Sequence, residues 1–217
     1  MSIKKQILLE IYDRLFEAFG PRHWWPAESR FEVIVGAILT QNTAWRNVEK
    51  SIAQLKAKNV LSPEAIYNMP IKELAALIRP AGYYNIKAER LKSFMRFLYN
   101  GYGGNLNRLL ETEMASLRKE LLTVKGVGPE TADSIILYAA EQPTFVVDTY
   151  TKRILYGHHL IPDDASYDMI RDFFMDRLPQ NTALYNEYHA LLVYTGKTFC
   201  SKTKPKCLQC PLQGLNQ

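Results

Sequence analysis

Between an apolar stripe at Leu117, Leu121 and Leu122 and a second at Ala132, Ile135, Ile136 and Ala139, the chain places Gly126, Val127 and Gly128, followed at once by Pro129. Stripes at helical spacing predict two helices, each with one buried face. The glycines permit a tight turn, and Pro129 suits the first turn of the helix that follows. The pattern therefore predicts helix, hairpin, helix over about 114–140. Backbone N–H groups presented at such a helix start form a ready grip for phosphate. A plain helical hairpin satisfies the same residues, because short glycine motifs match freely.

The downstream residues add chemistry. Phe145, Val146 and Val147 form a short apolar run behind Pro143, and Asp148 then opens TYTKRILYG, where Ile154 and Leu155 resume a buried pattern. Asp148 is thus expected to be a helix N-cap, worth about 1 kcal/mol. The partial positive charge of a helix N-terminus also keeps a carboxylate there ionised.

The remaining sequence is periodic at helical spacing, with segments near 3–19, 28–40, 44–57, 63–67, 71–79, 85–99, 105–111, 114–122, 129–141, 149–156, 166–177 and 181–196. Prolines punctuate these segments, and none reads as an alternating strand. The fold class expected is all-α. With 217 residues, 47% of them hydrophobic, the chain is long enough for two small cores or one large one. Its net charge of +5 points to an anionic partner, and Lys197, Lys202, Lys204 and Lys206 gather near the C-terminal cysteines. The amphipathic N-terminus is neither a signal peptide nor a membrane span. Three bunched cysteines argue against a disulfide-built secreted fold, so the expected compartment is the cytoplasm, with nucleoid association through DNA. His23, His158, His159 and His189 show no metal-binding spacing and are expected to be structural or exposed.

The glycine hairpin, with an aspartate eighteen positions after Glu130, resembles the helix-hairpin-helix and Gly/Pro-Asp signature of the endonuclease III superfamily of DNA glycosylases. FEVIVGAILTQNT at 31–43, RPAGYYNIKAERL at 79–91 and the cysteine-rich tail are similar to the same family. The resemblance implies two helical domains flanking a DNA-binding cleft. One is a six-helix domain of 29–140 carrying the hairpin; the other combines 1–28 with 141–217, carrying the aspartate and a C-terminal cysteine loop. The hairpin and Asp148 would stand at the mouth of the cleft, in a monomer acting on double-stranded DNA with a damaged base. Lys125, Gly126, Val127, Gly128 and Thr131 are then expected at the DNA. Gln41, beside Asn42, is expected to fill the gap left by an extruded base, to cap a helix or to act as a buried amide. Lys87 is expected to reach a phosphate, with Asn85 capping the helix that carries it.

A base must leave the stack before its glycosidic bond is cut, so the site needs a flat pocket and a stabiliser for the sugar cation. Asp148 is the expected stabiliser, offsetting charge at C1′ or orienting the attacking water. Strand cleavage uses an amine to form a Schiff base, and bifunctional relatives carry that lysine where this chain has Glu130. A carboxylate forms no imine, so a monofunctional glycosylase is expected. Trp24, Trp25 and Pro26 before the 31–43 block, and Trp45 after it, look most like the bacterial 3-methyladenine glycosylase branch. Indole faces bind a cationic alkylated purine by stacking and cation–π attraction, and Glu130 borders that expected pocket. A glycosylase for oxidised pyrimidines or mismatched bases, and a non-catalytic DNA-structure-binding protein, are the alternatives.

Cys200, Cys207 and Cys210 are spaced C-x6-C-x2-C, and relatives with a [4Fe–4S] cluster continue with x5-C, where this chain has Asn216. Short thiolate spacers favour soft metals or iron–sulfur clusters. An iron–sulfur cluster with an outside ligand is the favoured expectation. Zinc completed by a non-cysteine residue and a metal-free remnant remain open.

Overall fold

The computed structural model describes residues 3–22, 24, 25 and 27–215. In chain order the helices are α1 (Ile3–Phe19), α2 (Arg30–Leu39), α3 (Trp45–Ala57), α4 (Pro63–Asn68), α5 (Ile71–Leu77), α6 (Tyr84–Tyr102), α7 (Leu106–Leu110), α8 (Met114–Leu121), α9 (Pro129–Ser134), α10 (Thr149–Gly157), α11 (Tyr167–Met175) and α12 (Thr182–Thr198). Short 3-10 turns lie at Arg79–Ala81 and Cys207–Gln209, and a π-helical turn at Ile135–Ala139 continues α9. All regular structure among the described residues is helical, which is the expected fold class. None of these helices is long and apolar enough to cross a membrane.

The chain divides into two compact units, Ala27–Gln142, and Met1–Pro26 with Pro143–Gln217. In the first, α2 is buried from Phe31 to Leu39, as expected of a helix that is apolar nearly all round. It packs against α3, α6, α9 and the π turn. Ser29 caps it by accepting from the Glu32 amide at 3.1 Å. Glu32 in turn accepts from the Glu28 amide and pairs with Lys56 at 2.9 Å, so this buried acid belongs to the helix start. Eight helical segments make up this unit among the described residues, α4 and α7 being short pieces of six and five residues.

Two expectations fail on α6. Gly82 and Tyr83 both turn through left-handed backbone, at φ 68° and 45°, so the helix starts at Tyr84. Asn85 therefore lies exposed inside the first turn and does not cap it. Lys87, expected at a phosphate, is 1% exposed. Its ammonium donates to Leu39 O at 2.7 Å and Ala81 O at 2.8 Å. The Leu39 carbonyl ends α2 without an intrahelical partner, so Lys87 fastens that end to the Arg79–Ala81 turn. Burial, with the nearby Arg90 charge adding to it, lowers the Lys87 pKa to about 8.

Arg118 on α8 forks onto Asp133 on α9, its Nε donating to Oδ1 at 3.0 Å and to Oδ2 at 3.2 Å, and Nη2 donating to Oδ2 at 3.2 Å. Asp133 is fully buried, so this pair clamps the two helices that flank the hairpin.

In the other unit, α12 packs between α1 and α10. Phe145 stacks on Phe174 with centroids 3.7 Å apart, and Tyr188 meets both rings edge-on. The Tyr188 hydroxyl donates to Leu8 O at 2.8 Å, tying α12 to α1. On α12, a side chain at Gly196 would collide with Tyr150, so glycine there sets how closely α10 and α12 approach.

Replacing Arg118 by Ala removes the forked ion pair from a fully buried carboxylate and should cost about 3–5 kcal/mol in denaturant unfolding. Lys87 has a folded pKa below its unfolded one, so the unfolded chain holds more protons between the two values and stability rises with pH there. Relative to Lys87→Met, the native chain should gain roughly 1–3 kcal/mol in unfolding experiments between pH about 8 and about 10.5.

Candidate functional site

The hairpin is built on Gly126, whose φ of 92° is a conformation side chains resist. A Cβ there would also run into the aliphatic stem of Arg90. Gly128 has extended backbone and open space around it, so its value lies in the close approach it permits. Val127 is buried and its amide bonds to Val124 O at 2.9 Å, so that N–H turns inward where the sequence pattern expected it to face out. Lys125, Gly128, Pro129 and Glu130 form the exposed rim, with Glu130 in the first turn of α9.

Gln41 locks this hairpin from behind. Its amide donates to Gly126 O at 2.9 Å and to Thr131 Oγ1 at 2.8 Å, and its carbonyl accepts from the Arg90 guanidinium. Gln41 is half-buried, and its amide is engaged within the hairpin unit. Thr131 is buried by the same network and does not face outward as expected. Asn42 is exposed with φ 54°, and Trp45, half-buried, is the first residue of α3.

In the other unit, the buried run Phe145 to Val147 delivers Asp148 to the start of α10, where it is the expected N-cap. Its Oδ1 accepts from the Thr151 amide at 2.7 Å. Oδ2 lies 3.7 Å from His189 Nε2 on α12, and only 12% of the Asp148 side chain is exposed. Burial pushes the Asp148 pKa upward, but His189 and the Thr151 amide outweigh it and hold the carboxyl below its ordinary value. Such a group is an anion in a poorly hydrated place, where charge acts strongly.

His189, left unassigned by sequence spacing, is buried and belongs to this arrangement. Its partner lies 41 positions away, and the only local signal was its place on an apolar helix. Trp24 meets His189 edge-on at 6.5 Å, and Lys197 Nζ sits 5.6 Å from the Trp24 ring centroid. One Trp24 face is therefore occupied by a cation, and the indole backs His189 where an open stacking face was expected. Trp25 is half-buried with φ 71°, a strained conformation for a bulky residue. Pro26, expected in the base pocket, and His23 and Asn216 lie outside the described residues.

Cys200, Cys207 and Cys210 line one cavity of about 340 Å3, together with His158. Cys207 is exposed and the other two are half-buried. Burial raises the Cys210 thiol pKa, and the neighbouring Cys200 and Cys207 add to this against the Leu212 amide. Arg153 on α10 donates to Cys200 O at 2.5 Å, holding the loop to the helix. Among the described residues no three His, Cys, Asp or Glu side chains are grouped so as to hold a single metal ion.

Residues 35–180 match the HhH-GPD superfamily of base excision DNA repair proteins. The chain is 47% identical, over 97% of its length and 96% of the relative's, to a protein of Methanocaldococcus jannaschii whose name provisionally assigns it to the DNA repair glycosylases. It also resembles the Helicobacter pylori 3-methyladenine DNA glycosylase solved with 1,N6-ethenoadenine, at 29% identity and TM-score 0.75, covering 89% of this chain and 97% of that one. It shares the fold of endonuclease III in a non-covalent DNA complex, at 24% identity and TM-score 0.84, covering 99% of this chain and 95% of that one. With its glycine hairpin and its aspartate-capped helix, the chain belongs to the HhH-GPD superfamily and is a DNA repair glycosylase.

Proposed function

We propose that this glycosylase is monofunctional and hydrolyses the N-glycosidic bond of an alkylated purine of the 3-methyladenine type. The observation that carries the proposal is the placement of Asp148, nearly buried, capping α10 and held ionised beside His189. As the C1′–N bond lengthens, positive charge develops on the sugar and the base departs with the bonding electrons. A fixed carboxylate in a site of low dielectric stabilises that charge without reorganising. Water then adds at C1′, oriented by the same carboxylate, and its proton is lost to solvent.

An alkylated purine carries positive charge before cleavage, so it leaves without a strong general acid. That agrees with Glu32 being spent on the start of α2. Glu130 stands on the exposed rim where bifunctional relatives carry lysine, and a carboxylate offers no amine for a Schiff base. Trp25, in strained backbone, and Trp45, at the start of α3, are the remaining indoles for stacking on an extruded base. The likeness to the Helicobacter pylori 3-methyladenine glycosylase supports the same substrate class. Lys125 and the amide-rich rim at Gly128 serve the DNA backbone.

The C-terminal loop is read as the seat of an iron–sulfur cluster held by Cys200, Cys207 and Cys210, which face one cavity. Bound there, a cluster would cross-link the loop and neutralise the penalty of burying thiolates.

Incubation with alkylated, oxidised and mismatched duplexes, with released bases identified by mass, tests the proposal. The expected result is release of the alkylated purine, strand cleavage only after alkali, and no borohydride-trapped complex with abasic DNA. Release of oxidised pyrimidines alone, or a trapped complex, contradicts it. Because the Asp148 pKa is depressed, its anion persists above the ordinary carboxylate value of 3.8 and is lost only as pH falls through the lower folded value. Base release per folded molecule should therefore show no acid limb above pH 3.8.

A further inference from the structure

We infer that His158 supplies the fourth protein ligand to the iron–sulfur cluster, in the place where a fourth cysteine is missing. The inference rests on reading the loop as a cluster site and adds to it the residue that completes the shell. The chain has three cysteines, so one iron of a four-iron cluster must take a different donor. Asn216, at the spacing where relatives continue with cysteine, offers only an amide, a poor ligand for iron held among thiolates.

The cavity wall narrows the choice. Beyond the three thiols, His158 is the one lining residue that carries an imidazole, the donor best suited to iron. Thr195 also lines the space, but an alcohol is a poor donor to iron held among thiolates. Glycines and apolar side chains make up most of the rest.

The position of His158 is set by the helix and not by the loop. It is the C-cap of α10, its amide bonded to Ile154 O at 3.1 Å. Arg153, one turn earlier, ties the Cys200 carbonyl to the same helix. The loop thus places the three cysteines on the wall of the same cavity as the helix end that carries His158. Imidazole in place of thiolate on a cluster iron is chemically sound and raises the reduction potential. On assembly each thiol gives up a proton to solvent, and neutral imidazole binds through a ring nitrogen without losing one. The ligand set becomes three thiolates and one imidazole, one negative charge fewer than four thiolates.

The test uses the full chain reconstituted anaerobically with iron and sulfide, in wild-type, His158→Ala and His158→Cys forms. Wild type should hold about four irons per chain. Its reduced cluster should show nitrogen hyperfine coupling in pulsed electron paramagnetic resonance. His158→Cys should keep the iron and lose the coupling, with a lower reduction potential. His158→Ala should lose the coupling and shed iron faster to a chelator. A wild-type cluster without nitrogen coupling, or coupling that survives in His158→Cys, overturns the ligand assignment and leaves the cluster reading standing. A wild-type chain that takes up no iron with sulfide overturns both. Base release by the same preparations reports separately on the glycosylase reading.

Discussion

The structure of the Asp148 unit depends on one carboxylate being held at the mouth of a helix. A buried anion is costly, and this one is tolerated because the Thr151 amide and His189 meet its two oxygens. The apolar run Phe145 to Val147 anchors the approach, and Phe145 locks into the aromatic cluster with Phe174 and Tyr188. Gly196 then allows Tyr150 to seat against α12, which brings α10 and the His189 helix into register. The cap thus satisfies the helix start and fixes a charge at one point, so the bond that starts α10 is also the one on which the proposed chemistry draws.

The hairpin in the other unit follows a different logic. No side chain reaches outward from its centre, since Val127 is buried and Gln41, Arg90 and Thr131 brace it from inside. Gly126 is demanded by both its dihedral angle and the Arg90 stem, whereas Gly128 keeps the rim bare. Behind it the Arg118–Asp133 fork holds α8 to α9. The exposed rim beside Lys125 is the part of the hairpin that the proposed phosphate contact would use, since a phosphate is recognised by position and charge.

Much of this was legible in the sequence because the signals were local. Helical periodicity located the helices to within about three residues at each end, with the π turn counted as part of α9; Pro129 marked the start of α9, and Asp148 before an apolar-periodic segment announced a cap. What escaped were pairings set by tertiary packing. Lys87 reads as a surface lysine until the Leu39 carbonyl, 48 positions away, is placed beside it. His189 acquires meaning only through Asp148, and Trp24 only through His189 and Lys197. Asn85 misled because a left-handed pair at Gly82 and Tyr83 started α6 earlier than cap chemistry predicts.

The claim that one carboxylate serves both fold and reaction is tested most directly by measuring unfolding free energy and base release on the same Asp148→Asn protein. Asparagine caps helices about as well as aspartate, so the variant should stay within about 1 kcal/mol of wild type. Its base release should fall by about 10²-fold or more, because the charge facing the sugar cation is gone. A variant that is folded and releases the base at the wild-type rate would contradict the account.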